Sequence, residues 1–201
     1  MNSENTFRTL FILSFIAMFG IRIYFQLRAR QAGGKVEIRE KSPSLIAGSI
    51  AALVTIVFGA EYIFFPGTFG FAYALSYPVP IRWLGALLLF VSILLLGAAH
   101  YHLDKSFHSL IVTREDQKMV ESGPYHWIRH PIYTAYLLSY LGGGLLAGNF
   151  VLTFVPTILY GLLVALRTGP EENAMIEQFA DEYRKYMKRT GRFLPKFGGT
   201  V

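Results

Sequence analysis

The chain has 201 residues and no cysteine, with 53% hydrophobic and only 16% charged residues. Soluble domains carry roughly 25% charge, so this composition excludes a disordered chain, a disulfide scaffold and a thiolate nucleophile or Cys-type zinc site, and argues against an ordinary soluble enzyme. The net charge is +6, and its placement says more than its sum.

Five apolar runs reach membrane-spanning length. The first covers residues 7–27, with Arg8 and Arg22 near its ends, where long side chains snorkel. The second covers 44–65, with Glu61 as its one charge, and the third covers 81–103, with only Arg82. The fourth and fifth, 131–148 and 150–166, carry no charge. Asn149 alone separates them, which predicts a tight antiparallel hairpin, and Pro156 predicts a kink. The first run is long and is followed by no small-residue cleavage site, so a removable leader is not expected. The pattern predicts an all-α integral membrane protein: one membrane domain over 1–201, with five transmembrane helices and a C-terminal helical hairpin.

Lysines and arginines other than Arg8, Arg22 and Arg82 fall into three stretches, 28–41, 105–129 and 167–196, while the loop 66–80 holds none. With five spans, all three stretches lie on one side. Basic loops stay cytoplasmic, so the N-terminus is expected outside and the C-terminus inside. The basic excess reads as topology, and no nucleic-acid partner is expected. Any catalytic site must then form where the cytoplasmic segments 104–130 and 167–195 fold back onto the helix ends.

The densest polar cluster is Ser122-Gly-Pro-Tyr-His-Trp-Ile-Arg-His-Pro-Ile-Tyr133. Gly123 and Pro124 make a turn, and Pro131 suits the first turn of the fourth helix. An interfacial aromatic belt would have similar composition. The concentration of hydrogen-bonding groups beside a charge-free helix favours a site. The second cluster is Arg167-Thr-Gly-Pro-Glu171-Glu172. Thr168 to Glu171 fits a capping box, so a new helix is expected to start there. Met175, Phe179, Tyr183 and Tyr186 then recur at helical spacing, which predicts a cytoplasmic amphipathic helix. The two glutamates fit helix capping and dipole complementarity, or a grip on a ligand cation, with Arg167 available to an anion.

Other features carry less. His100 and His102 lie on different faces of a helix and do not chelate one metal, so no metal site is expected. Gly144 and Gly148 fit close helix packing. Glu61, near a helix end, reads as reaching the outer interface. No Gly-x-Ser-x-Gly, Gly-x-Gly-x-x-Gly or His-Glu-x-x-His is present.

Taken together the two clusters resemble the isoprenylcysteine carboxyl methyltransferase family and its relatives, the phospholipid N-methyltransferases. The resemblance rests on Gly123-Pro-Tyr125-His-Trp-Ile-Arg129-His130-Pro131-Ile-Tyr133, then Arg167, Glu171-Glu172, Tyr183-Arg-Lys-Tyr186-Met-Lys-Arg189 and Arg192-Phe-Leu-Pro195. It covers about Gln117 to Pro195. Ala135 stands where the family usually has glycine, and Met175 near a usual leucine; both changes are small and apolar.

The resemblance implies S-adenosyl-L-methionine as cofactor, held without a Rossmann domain. It implies cofactor contacts at Gln117, Lys118, Met119, Val120, Tyr125, His130, Pro131, Ile132, Tyr133 and Glu171, and a catalytic, substrate-binding role for Arg167. It implies a lipophilic methyl acceptor entering from the bilayer, with a carboxylate of an isoprenylcysteine-like substrate ahead of a phospholipid amine. An amine would need a proton acceptor, for which His126 and Glu172 are the nearby residues. An NADPH-dependent sterol-reductase-like enzyme and a non-enzymatic membrane scaffold or transporter are the competing readings.

Overall fold

The computed structural model describes residues 3–31, 42–103 and 119–196. Five helices follow one another: α1 (Ser3–Gln31), α2 (Ser42–Phe64), α3 (Val79–Leu103), α4 (Pro131–Ala147) and α5 (Phe150–Arg189). Each contains one of the predicted apolar runs, give or take a few end residues. Among the described residues the only non-helical pairing is an isolated parallel bridge, Ile128 with Gly191. The fold is all-α, and α1, α2, α3 and α5 are each long and apolar enough to cross a membrane. Leu13, Ile16, Leu53, Leu87, Phe90, Leu94 and Ile158 stay exposed on the outer faces of these helices. That distribution suits an integral membrane protein, whose solvent is hydrocarbon.

The hairpin between α4 and α5 forms as its sequence predicts. Gly148 takes the left-handed conformation at φ 67°, and the Asn149 side chain caps α5 by accepting the Leu152 amide at 2.9 Å. The closest helix crossing joins α3 and α4 through Gly85 and Gly142. A Cβ at Gly85 would lie 2.5 Å from the Leu146 backbone nitrogen, and one at Gly142 would lie 2.8 Å from the Gly85 carbonyl. Of the glycine pair expected to pack, Gly144 does so, abutting the Thr153 backbone of α5, while Gly148 instead makes the turn.

Two expectations fail in α5. The helix is continuous through Thr168, Gly169 and Pro170, so no capping box starts a new helix there. Losing the Pro170 N–H costs a single intrahelical bond in a helix held on one side by α2 and α4. The break falls lower, at Ala180, where φ is 47° and ψ is −120°. It divides the predicted amphipathic helix between Phe179 and Tyr183. At 40 residues α5 is about 60 Å long, twice the hydrocarbon thickness. Its apolar part, 150–166, accounts for one crossing, and 167–189 projects beyond it.

Candidate active site

The two polar clusters of the sequence meet at one end of the helix bundle. Gly123, at φ 59°, starts a short 3₁₀ turn over Gly123–His126, which buries Tyr125. The Tyr186 hydroxyl donates to the Tyr125 carbonyl at 2.6 Å. Backbone bonds then clamp the segment to the chain after α5. The Gly191 amide donates to Trp127 O at 3.0 Å, the Arg129 amide to Gly191 O at 2.9 Å and the His130 amide to Arg192 O at 3.1 Å. Thr134 adds a hydroxyl bond to Phe193 O at 2.9 Å.

Adjacent residues on a helix point about 100° apart, and the glutamate pair uses that angle. Glu172 points into the clamp, with 4% of its side chain exposed. Its Oε1 accepts from Arg129 Nε at 2.9 Å and Arg192 Nε at 3.2 Å, and lies 3.3 Å from His130 Nε2; Arg192 also bonds Oε2. Burial opposes the charged carboxylate, but hydrogen bonds from His130, Arg192 and Arg129 outweigh it and hold the Glu172 carboxyl well below the usual carboxylate range. Arg129 also donates to Thr190 O at 2.6 Å. Glu172 therefore locks 127–130 to 190–193.

Glu171 faces the other way, with 21% of its side chain exposed, into a cavity of about 700 Å³. Its Oε1 accepts the Tyr133 hydroxyl at 2.5 Å and lies 3.4 Å from Arg167 Nε one turn earlier; its Oε2 lies 3.6 Å from His130 Nδ1. The His130 ring thus spans both carboxylates and stacks on Tyr133 at 5.6 Å between centroids. The Arg167 guanidinium sits 5.8 Å from the Tyr133 ring centre. Burial pushes the Tyr125 and Tyr183 phenols well above their ordinary range, so both present neutral rings to the cavity.

Met119, Val120, Tyr125, His130, Pro131, Ile132, Tyr133, Arg167 and Glu171 all line this one cavity. Gln117 and Lys118 lie outside the described residues. The two proposed proton acceptors do not line it: His126 is exposed on the far side of its turn, and Glu172 is consumed by the lock. From the polar end the cavity runs inward past Tyr136, Tyr140 and Tyr160 to Phe15 of α1 and Ala52 and Ile56 of α2. Sequence reasoning missed this tyrosine wall, although Tyr133, Tyr136 and Tyr140 repeat at helical spacing along α4. It also missed Arg22, which turns inward to donate to the Tyr136 hydroxyl at 3.2 Å instead of snorkelling to the surface.

Glu61 at the opposite end is a structural residue. It is 4% exposed and accepts from the Gly67 amide at 2.8 Å and the Tyr73 hydroxyl at 2.5 Å, which orders the turn after α2.

A profile of the Isoprenylcysteine carboxyl methyltransferase (ICMT) family matches residues 83–177. A Protein-S-isoprenylcysteine O-methyltransferase of Schizosaccharomyces pombe is 29% identical over 93 residues, covering 45% of this chain and 39% of that protein. The cobalt-zinc-cadmium resistance protein CzcN of Cupriavidus metallidurans is 29% identical over 115 residues, covering 57% of this chain and 52% of that protein. The chain thus spans about half the length of these curated relatives, or less. The solved structure of a eukaryotic intramembrane Ras methyltransferase, ICMT, superposes with a TM-score of 0.57 at 22% identity, over 81% of this chain and 56% of that one, a likeness of fold. Over residues 83–177, which hold the His-Pro-x-Tyr stretch, Arg167 and the glutamate pair, this chain carries the signature of the isoprenylcysteine carboxyl methyltransferase family that its motifs resemble.

Proposed function

We propose that this chain is an integral membrane methyltransferase that uses S-adenosyl-L-methionine to esterify a carboxylate on a lipophilic, isoprenylcysteine-like acceptor. The observation that carries the reading is the single cavity. It joins the polar motif residues to an apolar wall embedded among α1 and α2, so a charged donor and a greasy acceptor have one meeting place.

The donor set fits the cofactor. Glu171 offers a carboxylate to the cofactor's amino group, held in place by Tyr133 and Arg167. The aromatic rings of Tyr125, Tyr133 and Tyr183 suit a sulfonium through cation–π attraction. Met119, Val120, Pro131 and Ile132 enclose the remainder, and Gln117 and Lys118 extend this set by resemblance. His130, spanning both glutamates, orients Glu171. When bound, the cofactor supplies an electrophilic methyl group on its sulfonium. Methyl transfer is an in-line displacement, for which the chain's task is positioning and exclusion of water. A carboxylate acceptor is already ionised and needs no base. Arg167 orients it with the fork of its guanidinium. An amine acceptor would need a base, and with His126 outside the cavity and Glu172 in the lock, the geometry favours the carboxylate.

The topology follows the same reading. Helix α4, with 17 residues and about 25 Å, is short but sufficient as a fifth span. Five crossings then place the N-terminus outside, and the C-terminus and the cavity's polar mouth in the cytoplasm. The whole chain forms one membrane domain, with 104–130 and 167–195 as its catalytic segments. The test is transfer of a labelled methyl group from S-adenosyl-L-methionine to a prenylated N-acylcysteine in lipid nanodiscs. The expected product releases its label as methanol in mild base, as an ester does. Label that is not released as methanol would mean transfer to an atom other than the carboxylate oxygen and would overturn the carboxylate assignment.

A further inference from the structure

Arg22 lies on α1, five residues before the apolar run 7–27 ends, so about 7 Å inside that edge. A cation at that depth in a bilayer is costly unless it is partnered or faces a polar cavity. Arg22 faces the cavity just described. Its side-chain hydrogen bond goes to a phenol, Tyr136, at 3.2 Å, with its guanidinium 5.8 Å from that ring's centre. The titratable groups facing it are Tyr136, Tyr140, Tyr160 and His100. None of them is an anion, and among the described residues no carboxylate pairs with it. Arg167, on the same cavity wall, contrasts with it, having Glu171 at 3.4 Å. The tyrosines lie between the two arginines: Tyr136 packs on Tyr160 at 5.7 Å and Tyr133 on Tyr160 at 6.3 Å, and Arg167 covers Tyr133. Arg22 also lies outside the matched segment 83–177, so the family resemblance assigns it no role.

We propose that Arg22 is an entry contact for the acceptor, held ready by Tyr136, which meets the anionic head on the membrane side of the cavity before its carboxylate reaches Arg167, and that it selects lipophilic acceptors whose polar head is an oxyanion over those whose head is cationic. This rests on the methyltransferase reading and adds to it a specificity residue on the membrane side of the cavity. The physical ground is that an arginine surrounded by phenols is electrostatically incomplete. An oxyanion satisfies its donors in a bidentate manner, whereas a quaternary or protonated amine is repelled.

The experiment uses the full chain in a neutral detergent, at a pH where laurate is ionised. Laurate, dodecyltrimethylammonium and phosphatidylglycerol serve as probes of binding, and S-adenosylhomocysteine is titrated in parallel. Wild type should bind laurate and discriminate against dodecyltrimethylammonium. Arg22→Met should weaken laurate by about tenfold or more, the scale of a charge-assisted hydrogen bond, while S-adenosylhomocysteine affinity stays within about twofold. Arg22→Lys, which keeps the charge and guards against a variant that fails to fold, should retain part of the laurate affinity. Laurate binding that is unchanged in both variants would overturn the inference. So would phosphatidylglycerol that displaces laurate and depends equally on Arg22, because the anion would then be a bilayer headgroup. Absence of S-adenosylhomocysteine binding in wild type would instead overturn the methyltransferase reading, so the two failures are distinguishable.

Discussion

The two ends of the helix bundle are built from the same residue types and arrive at opposite results. At the Arg82 end, that arginine donates to both Glu4 oxygens at 2.6 and 3.1 Å, to the Tyr62 hydroxyl at 3.0 Å and to the Leu146 carbonyl at 2.8 Å, and it covers the Phe7 ring at 4.2 Å. Four of the five N–H donors of that guanidinium are used to join α1, α2, α3 and α4. At the opposite end one glutamate, Glu172, is equally consumed, but its neighbour Glu171 opens onto a cavity with Arg167 and Tyr133. Charged networks by themselves therefore do not mark a site in this fold. What marks it is a network that satisfies its own structural half and leaves its other half facing space.

Mutations can break this comparison. The largest effect is expected at the lock. Glu172→Ala leaves the buried Arg129 without its carboxylate and unties the half-exposed Arg192, and removing one partner of a buried ion pair costs about 3–5 kcal/mol. Thermal unfolding in micelles should show it as the largest fall in the set, with ligand binding lost only because the fold is lost. Arg82→Met should cost less, about 2 kcal/mol, since Glu4 is partly exposed and recovers solvent. It should leave S-adenosylhomocysteine affinity unchanged, and a large affinity loss there would erase the distinction between the two ends.

Acid titration sharpens the same point. The folded Glu172 carboxyl is held below its unfolded value of about 4.3. Its contribution is therefore complete above that pH and is lost as pH falls through the folded value. Wild type should lose stability on acidification below about pH 4.5 more steeply than Glu172→Gln does; parallel curves would contradict the lock. The smallest effect is expected from Tyr133→Phe, which removes one hydrogen bond to Glu171. Stability should change by about 1 kcal/mol or less, while S-adenosylhomocysteine binding weakens by a few fold.

Much of this was readable in the residues because hydrocarbon enforces it. A span must be a continuous apolar run, so the five helices and the Asn149 hairpin stood out. The helix-period tyrosines of α4 were equally present and went unread, since aromatic residues near a membrane boundary have a ready interfacial explanation. Four features were not legible. The break at Ala180 places a non-glycine residue at positive φ, which no local signal announces. Thr168 to Glu171 satisfies a capping pattern, yet the helix continues through it because packing against α2 and α4 holds it. The division of labour between Glu171 and Glu172 depends on which direction α5 turns relative to α4, and adjacent identical residues carry no record of that. Arg22 failed for a related reason: from sequence a flanking arginine is expected to snorkel outward, and only the position of Tyr136 on another helix draws it inward.

The most direct measurement is calorimetric titration of S-adenosylhomocysteine into the purified protein, in detergent and in nanodiscs, beside Glu171→Ala. The account predicts saturable binding to wild type, and binding weakened by about tenfold or more in a Glu171→Ala variant that melts within a few degrees of wild type. No binding to folded wild type in either environment, or binding indifferent to Glu171, would contradict it.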